Sequence, residues 1–101
     1  TERLLEHAEF DGIFCANDAM AIGALGALRD AGKCIPTDVS VVGFDDIEMA
    51  RWPGVRLTTL RNPIDDMVDA VLSSLDRRLA DPNASEQTTR LHAEIILRDT
   101  H

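Results

Sequence analysis

The sequence predicts an α/β fold built on a parallel sheet, and three stretches carry that reading. The first is Val39-Ser40-Val41-Val42-Gly43-Phe44-Asp45-Asp46, a run of apolar residues and glycine broken once by serine, which stops on two carboxylates. Such a run suits a strand covered on both faces better than a half-wet strand, which would alternate. The second is a strand, helix, strand order over residues 12–44. Its two strands must run parallel, with the helix crossing right-handed over one face. The third is the helical period of apolar residues from Ile64 to Ala80, followed by one more strand.

In chain order, Thr1 to Ala8 reads as the tail of a helix with Leu4, Leu5 and Ala8 spaced to face inward; lacking a start methionine, it looks like a cut. Asp11-Gly12 punctuates, Ile13-Phe14-Cys15-Ala16 is a short buried strand, and Asn17-Asp18 ends it. Ala19 to Ala31 is the crossover helix, with Asp18 as N-cap and Gly32 as the glycine after its C-terminus. Met20, Ala21, Ala24, Leu25 and Leu28 make one apolar face of that helix. Ile22, Gly26 and Arg29 make a second, where glycine admits close approach by another backbone. Either the helix is wedged between two layers of its own fold, or the second face is a subunit contact.

Residues 47–56 are irregular, with Trp52-Pro53-Gly54 at a turn. The lone tryptophan has three open readings: core plug, interface anchor or stacking platform for a ligand. Leu57 to Leu60 is a brief extended piece. Asn62 then reads as an N-cap with Pro63 at the first helical position, and Asp65 and Asp66 suit the positive helix start. Ile64, Met67, Val68, Val71, Leu72, Leu75 and Leu79 share one face, Arg77 and Arg78 suit the last turn, and Asp81-Pro82-Asn83 ends the helix. Finally Leu91, Ala93, Ile95 and Leu97 alternate with polar residues, as in a strand with one wetter face.

The 101 residues amount to one domain's worth of chain, enough to bury roughly 65% of the unfolded surface. A net charge of −8 argues against this stretch gripping nucleic acid, which needs clustered Lys and Arg; Arg51, Arg56, Arg61 and Arg90 are scattered. No apolar run is long enough for a membrane span, and no basic-plus-apolar leader opens the sequence. Cys15 and Cys34 lack metal-site spacing, and Cys15 reads as a reduced, buried thiol.

Parallel strands place Asn17-Asp18 and Asp45-Asp46 at the same end of the sheet, where ligands of open α/β sheets bind. Asn17 and Asp45 form a candidate binding pair: a carboxylate accepts, while a carboxamide both donates and accepts, as vicinal hydroxyls or purine nitrogens require. Asp18 and Asp46 read more simply as turn formers. As catalytic groups, adjacent Asp45 and Asp46 point in different directions, unlike the opposed carboxylates of a glycosidase. A magnesium site would want a nearby lysine, and Lys33 lies near the opposite end of the sheet. There is no nucleophile elbow, phosphate loop or Cys/His cluster, and His7, His92 and His101 read as surface histidines. No catalytic residue, metal or cofactor is expected.

Three ordered motifs, Asp11 to Leu25, Ile35 to Asp46 and Leu57-Thr58-Thr59, closely resemble the effector-binding region of the lactose-repressor/galactose-repressor (LacI/GalR) family of bacterial transcription regulators. The closing Leu97-Arg98-Asp99-Thr100 is similar to that family's C-terminus. The resemblance implies a parallel-sheet, three-layer fragment of a type I periplasmic-binding-protein-like domain. Residues 11–60 would be the core of its second lobe. Residues 61–89 would be a crossover and a helix normally packed on the first lobe, and 90–101 a closing strand. It implies that Asn17, Asp45 and Asn62 contact a small-molecule effector, a sugar or a nucleoside or purine. It also implies a homodimer through Ile22, Gly26, Arg29, Met49 and Trp52, in a cytoplasmic protein.

Operator DNA would be bound only through an N-terminal helix-turn-helix that, like the first lobe, lies outside this sequence. Trp52-Pro53-Gly54 departs from the Tyr- or Phe-containing loop expected at the dimer surface. Without the first lobe, the 64–80 helix is expected to fold back onto its own sheet or to exchange with another copy in a domain-swapped oligomer. Two other readings remain: a periplasmic or secreted solute-binding protein of the same architecture, and an α/β enzyme using Asp45 and Asp46.

Overall fold

The computed structural model describes residues 1–101. Its elements are helix α1 (Glu2–His7), strand β1 (Gly12–Phe14), helix α2 (Asp18–Asp30), strand β2 (Ser40–Asp45), a 3-10 turn (Glu48–Arg51), strand β3 (Thr58–Arg61), helix α3 (Ile64–Ala80) and strand β4 (Glu94–Ile96). The strands lie side by side in the order β1-β2-β3-β4. β1 runs parallel to β2 with Gly12 opposite Ser40 and Phe14 opposite Val42. β2 runs parallel to β3 with Val42 opposite Thr58 and Asp45 opposite Arg61. The predicted parallel α/β core is therefore present. The chain divides into two units, Thr1–Asn62 with Ile95–His101, and Pro63–Glu94.

In the first unit α2 lays Ala21, Ala24, Leu25 and Leu28 over Val39 and Val41, with Cys15, Ala50 and Leu57 completing a buried core. Small residues let helix and sheet approach closely. A Cβ on Gly43 would overlap Asp18 Oδ1 and sit 3.0 Å from Leu57 Cδ2 and 3.3 Å from Ala21 Cβ. The opposite face of β2, formed by Ser40, Val42 and Phe44, is half-buried, and Phe14 on β1 is exposed. So β2 alternates where continuous cover on both faces was expected. Met20, at the start of α2, is also exposed, and of the α1 pair only Leu5 packs on the core while Leu4 does not.

Two caps differ from expectation. Asn17, not Asp18, caps α2, its side chain accepting from Met20 N at 2.9 Å. Asp18 is instead turned inward and fully buried. Asn62 does not cap α3, which starts after Pro63 with no side-chain cap bond. Gly32 does close α2, at φ +74°, with its N–H on Arg29 O and Lys33 N–H on Leu28 O.

The closing segment also departs from its pattern. β4 is three residues long, Leu91, Ile95 and Leu97 are exposed, and the skipped Ile96 is half-buried. Polar bonds rather than apolar alternation fix it. Thr100 wedges against β2 and β3: its carbonyl accepts from Val41 N (2.6 Å), its Oγ1 donates to Val41 O (2.7 Å) and accepts from Thr58 N (2.9 Å).

The second unit is α3 with the loop after it. Acidic residues occupy its first turn and Arg77 and Arg78 its last, as the macrodipole favours. No residue of α3 is buried, and its seven large apolar side chains stay 41–74% exposed. No helix is long and apolar enough to cross a membrane.

Candidate ligand-binding rim

Strand register decides which sequence candidates meet. Asn17 lies three residues beyond Phe14, the end of β1, and Asp45 ends β2, so the parallel pairing sends both to the same end of the sheet. On the other side Asp45 is opposite Arg61, and Asn62 N donates to Asp45 O at 3.4 Å. The three predicted ligand residues thus stand at the carboxyl ends of three neighbouring parallel strands, the rim where α/β sheets take ligands.

Each offers unused hydrogen-bonding capacity. Capping α2 occupies Asn17 Oδ1 and leaves its amide Nδ2 as a donor. The Asp45 carboxylate takes no partner within the chain and is half-buried. Asn62 is half-buried beside it. Asp45 and Asp46 both hold positive φ, 126° and 58°. For residues with a side chain each such conformation costs about 1–3 kcal/mol, and it persists where surroundings over-determine it.

Asp18 and Asp46 are more than turn formers. Asp18 Oδ1 accepts from Thr59 Oγ1 at 2.6 Å, and its Oδ2 from Ile47 N at 3.0 Å. Asp46, whose side chain is fully buried, accepts from Arg98 Nη2 (2.6 Å) on Oδ1 and from Arg61 Nε (2.9 Å) and Arg51 Nη2 (3.2 Å) on Oδ2. Burial alone would raise the Asp46 carboxyl; the hydrogen bonds from Arg98 and Arg61, then the Arg98 charge and the Arg51 bond, outweigh it and hold the group below the usual carboxylate range. Sequence reasoning missed this cage because its arginines come from three separate segments. No spacing in the sequence signals it: the neighbouring Thr58 and Thr59 hydroxyls bond Arg98 N and Asp18, not Asp46.

This division bears on the reading of Asp45 and Asp46 as a catalytic pair. Asp46 has both oxygens committed to guanidinium groups, so it is neither a free base nor a partner for Asp45 in acid–base work. No three His, Cys, Asp or Glu side chains gather as a metal cluster would require. Cys15 is buried and its thiol is pushed up, chiefly by desolvation with the N-terminal ammonium opposing, which makes it inert. What the rim can do is donate hydrogen bonds through its amides and accept them at a carboxylate.

The residues singled out for a subunit contact lie at the surface. Ile22 is half-buried, Gly26 is open with nothing within 4 Å of a built Cβ, and Met49 and Trp52 are 38% and 50% exposed. Trp52 is therefore not a core plug. Arg29 Nη2 donates to Gly54 O at 2.9 Å, which ties α2 to the turn that carries Trp52.

A parallel βαβ unit with a polar rim at its strand ends fits one lobe of the periplasmic-binding-protein-like class, and a family model for a periplasmic binding protein-like domain matches residues 2–101. The chain belongs to that family, in the branch of the LacI/GalR transcription regulators that its motifs resemble. The HTH-type transcriptional regulator GalR of Escherichia coli K12 is 37% identical over 98 residues, 97% of this chain and 28% of that protein. A LacI-type transcription regulator from Bifidobacterium animalis subsp. lactis superposes with a TM-score of 0.84 at 30% identity, over 98% of this chain and 36% of its own. A LacI family transcriptional regulator from Enterococcus faecium with bound ribose gives a TM-score of 0.78 at 30% identity, over 98% and 37%. The chain spans 26–28% of the length of the curated relatives it matches.

Proposed function

We propose that this chain supplies one wall of the effector cleft of a cytoplasmic, DNA-binding transcription regulator, and that its effector is a hydroxyl-rich small molecule of the sugar or nucleoside kind. The observation that carries this is that Asn17, Asp45 and Asn62 lie at the carboxyl ends of neighbouring parallel strands, and so offer an amide donor and a carboxylate acceptor at one end of the sheet. Vicinal hydroxyls are recognised by that combination, and the ribose-bound relative supports the ligand class. Closure of a second lobe over the bound effector would change operator affinity through a coupling free energy. In that assembly the 61–89 segment carries α3 to the first lobe. Ile22, Gly26, Arg29, Met49 and Trp52 form the homodimer surface. No step of this function is catalytic.

The test is calorimetry on the full-length regulator against D-ribose, D-galactose, lactose and adenosine, comparing Asn17→Ala and Asp45→Asn with the unmodified protein. Loss of heat on both substitutions supports the rim. Full affinity in Asp45→Asn removes it.

A further inference from the structure

Asp45 and Asp46 are consecutive, and both adopt a backbone region that side chains avoid. The Asp45 side chain does not hold it there. Its carboxylate has no partner within the chain; its backbone is paired with Arg61 at the end of the β2–β3 ladder, its carbonyl accepting from Asn62 N at 3.4 Å. Asp46 is the opposite case, a fully buried carboxylate with three guanidinium donors on its two oxygens. Those donors come from three places in the chain: the 3-10 turn (Arg51), the end of β3 (Arg61) and the closing segment (Arg98). Arg98 is the most enclosed of the three, its side chain 10% exposed. It is itself fixed twice, by Nη1 on Leu57 O at 2.8 Å and by its backbone N on Thr58 Oγ1 at 2.9 Å. A carboxylate held through both oxygens by a planar fork has little freedom to turn, and the peptide that bears it turns with it.

We propose that Asp46 and Arg98 are positioning residues of the effector site: their ion pair locks the left-handed turn that presents the Asp45 carboxylate at the rim. This rests on the reading of Asp45 as a ligand group. Neither Asp46 nor Arg98 touches effector; both act through Asp45, and the C-terminal segment thereby becomes part of the binding site.

The test uses the full-length regulator with D-ribose, D-galactose, lactose and adenosine as probes, and the variants Arg98→Met, Arg98→Lys, Asp45→Asn and the double variant Arg98→Met with Asp45→Asn. Arg98→Met is expected to weaken the bound probe about tenfold, as loss of one charge-assisted hydrogen bond to ligand would. Arg98→Lys recovers part of that loss. The double variant binds no worse than Asp45→Asn alone, since both changes remove one interaction, whereas a merely structural role would add its loss to the other. A crystal structure of Arg98→Met should show residue 45 leaving positive φ.

Retained affinity in Arg98→Met, additive losses, or an unchanged φ at residue 45 each overturn the assignment. If Asp45→Asn weakens binding and Arg98→Met does not, the positioning role falls and the effector rim stands. If Asp45→Asn binds normally, both fall. Should Arg98→Met not fold, Arg51→Met removes the most exposed donor of the cage and is read in the same way. If no probe binds, the φ of residue 45 in the variant crystal decides alone.

Discussion

Two helices of this chain make opposite use of an apolar face. α2 buries two alanines and two leucines completely, whereas α3 carries seven large apolar side chains and buries none. Read as patterns, α3 is the clearer amphipathic helix. Periodicity identifies the face a helix is built to bury, but whether a given stretch of chain contains the surface to bury it against is a separate question. The contrast is sharpest in truncation. Leu25→Ala should cost about 2–5 kcal/mol, because the close approach of α2 to β2 leaves little room to collapse around the hole. A urea midpoint that moves by less than the equivalent of about 1 kcal/mol would mean that the α2 layer is as loosely held as the α3 face.

The next effect in size is that of the Asp46 cage, which pins the α2 side of the molecule through charge. The folded-state pKa of Asp46 lies below that of an unfolded aspartate, so its contribution is fully present above about pH 4 and is lost as pH falls through the lower folded value. Urea midpoints should therefore be insensitive to this group from pH 7 to about pH 5 and should drop below about pH 4. Asp46→Asn should cost about 2–3 kcal/mol at pH 7 and flatten the acid limb. An acid limb unchanged in Asp46→Asn would assign it to other carboxylates. Smaller again is the cap. Asn17→Ala should lower stability by about 1 kcal/mol through the lost bond to Met20 N, while Asn17→Ser keeps it, so comparison of the two separates capping from ligand contact.

Much of this was legible in the residues. The Val39 to Phe44 run, the glycine at position 32 and the apolar period of 64–80 each reported a backbone requirement that local chemistry decides, and the elements formed there. The rim followed from topology alone, since parallel strands joined by a crossover must send Asn17 and Asp45 to one end. Within each pair, however, the roles of the second residue were hidden. Asp18 and Asp46 follow rim residues and look like ordinary turn formers. Their burial depends on Thr59, Ile47, Arg61 and Arg98, whose approach is a property of strand order and not of spacing. The closing strand misled for a related reason. Its alternation is real, but Thr100 and Arg98 dock it by hydrogen bonds, so the apolar set on Leu91, Ile95 and Leu97 was left outside.

The smallest effect tests the α3 side of the comparison. Leu75 is 51% exposed, so Leu75→Ser should change the stability of the 101-residue chain by no more than about 0.5 kcal/mol, the range of surface substitutions. The result is informative in both directions when read with light scattering over a dilution series. A near-zero change with a monomeric chain leaves the face open. A loss of 2 kcal/mol or more that fades on dilution would show that copies of the chain cover one another through this face, because a contact between molecules weakens with concentration and one within a molecule does not. If, as proposed, α3 packs on another lobe of a longer regulator, the same substitution made there should cost more than in the 101-residue chain, since burying a leucine contributes about 1.5–3 kcal/mol.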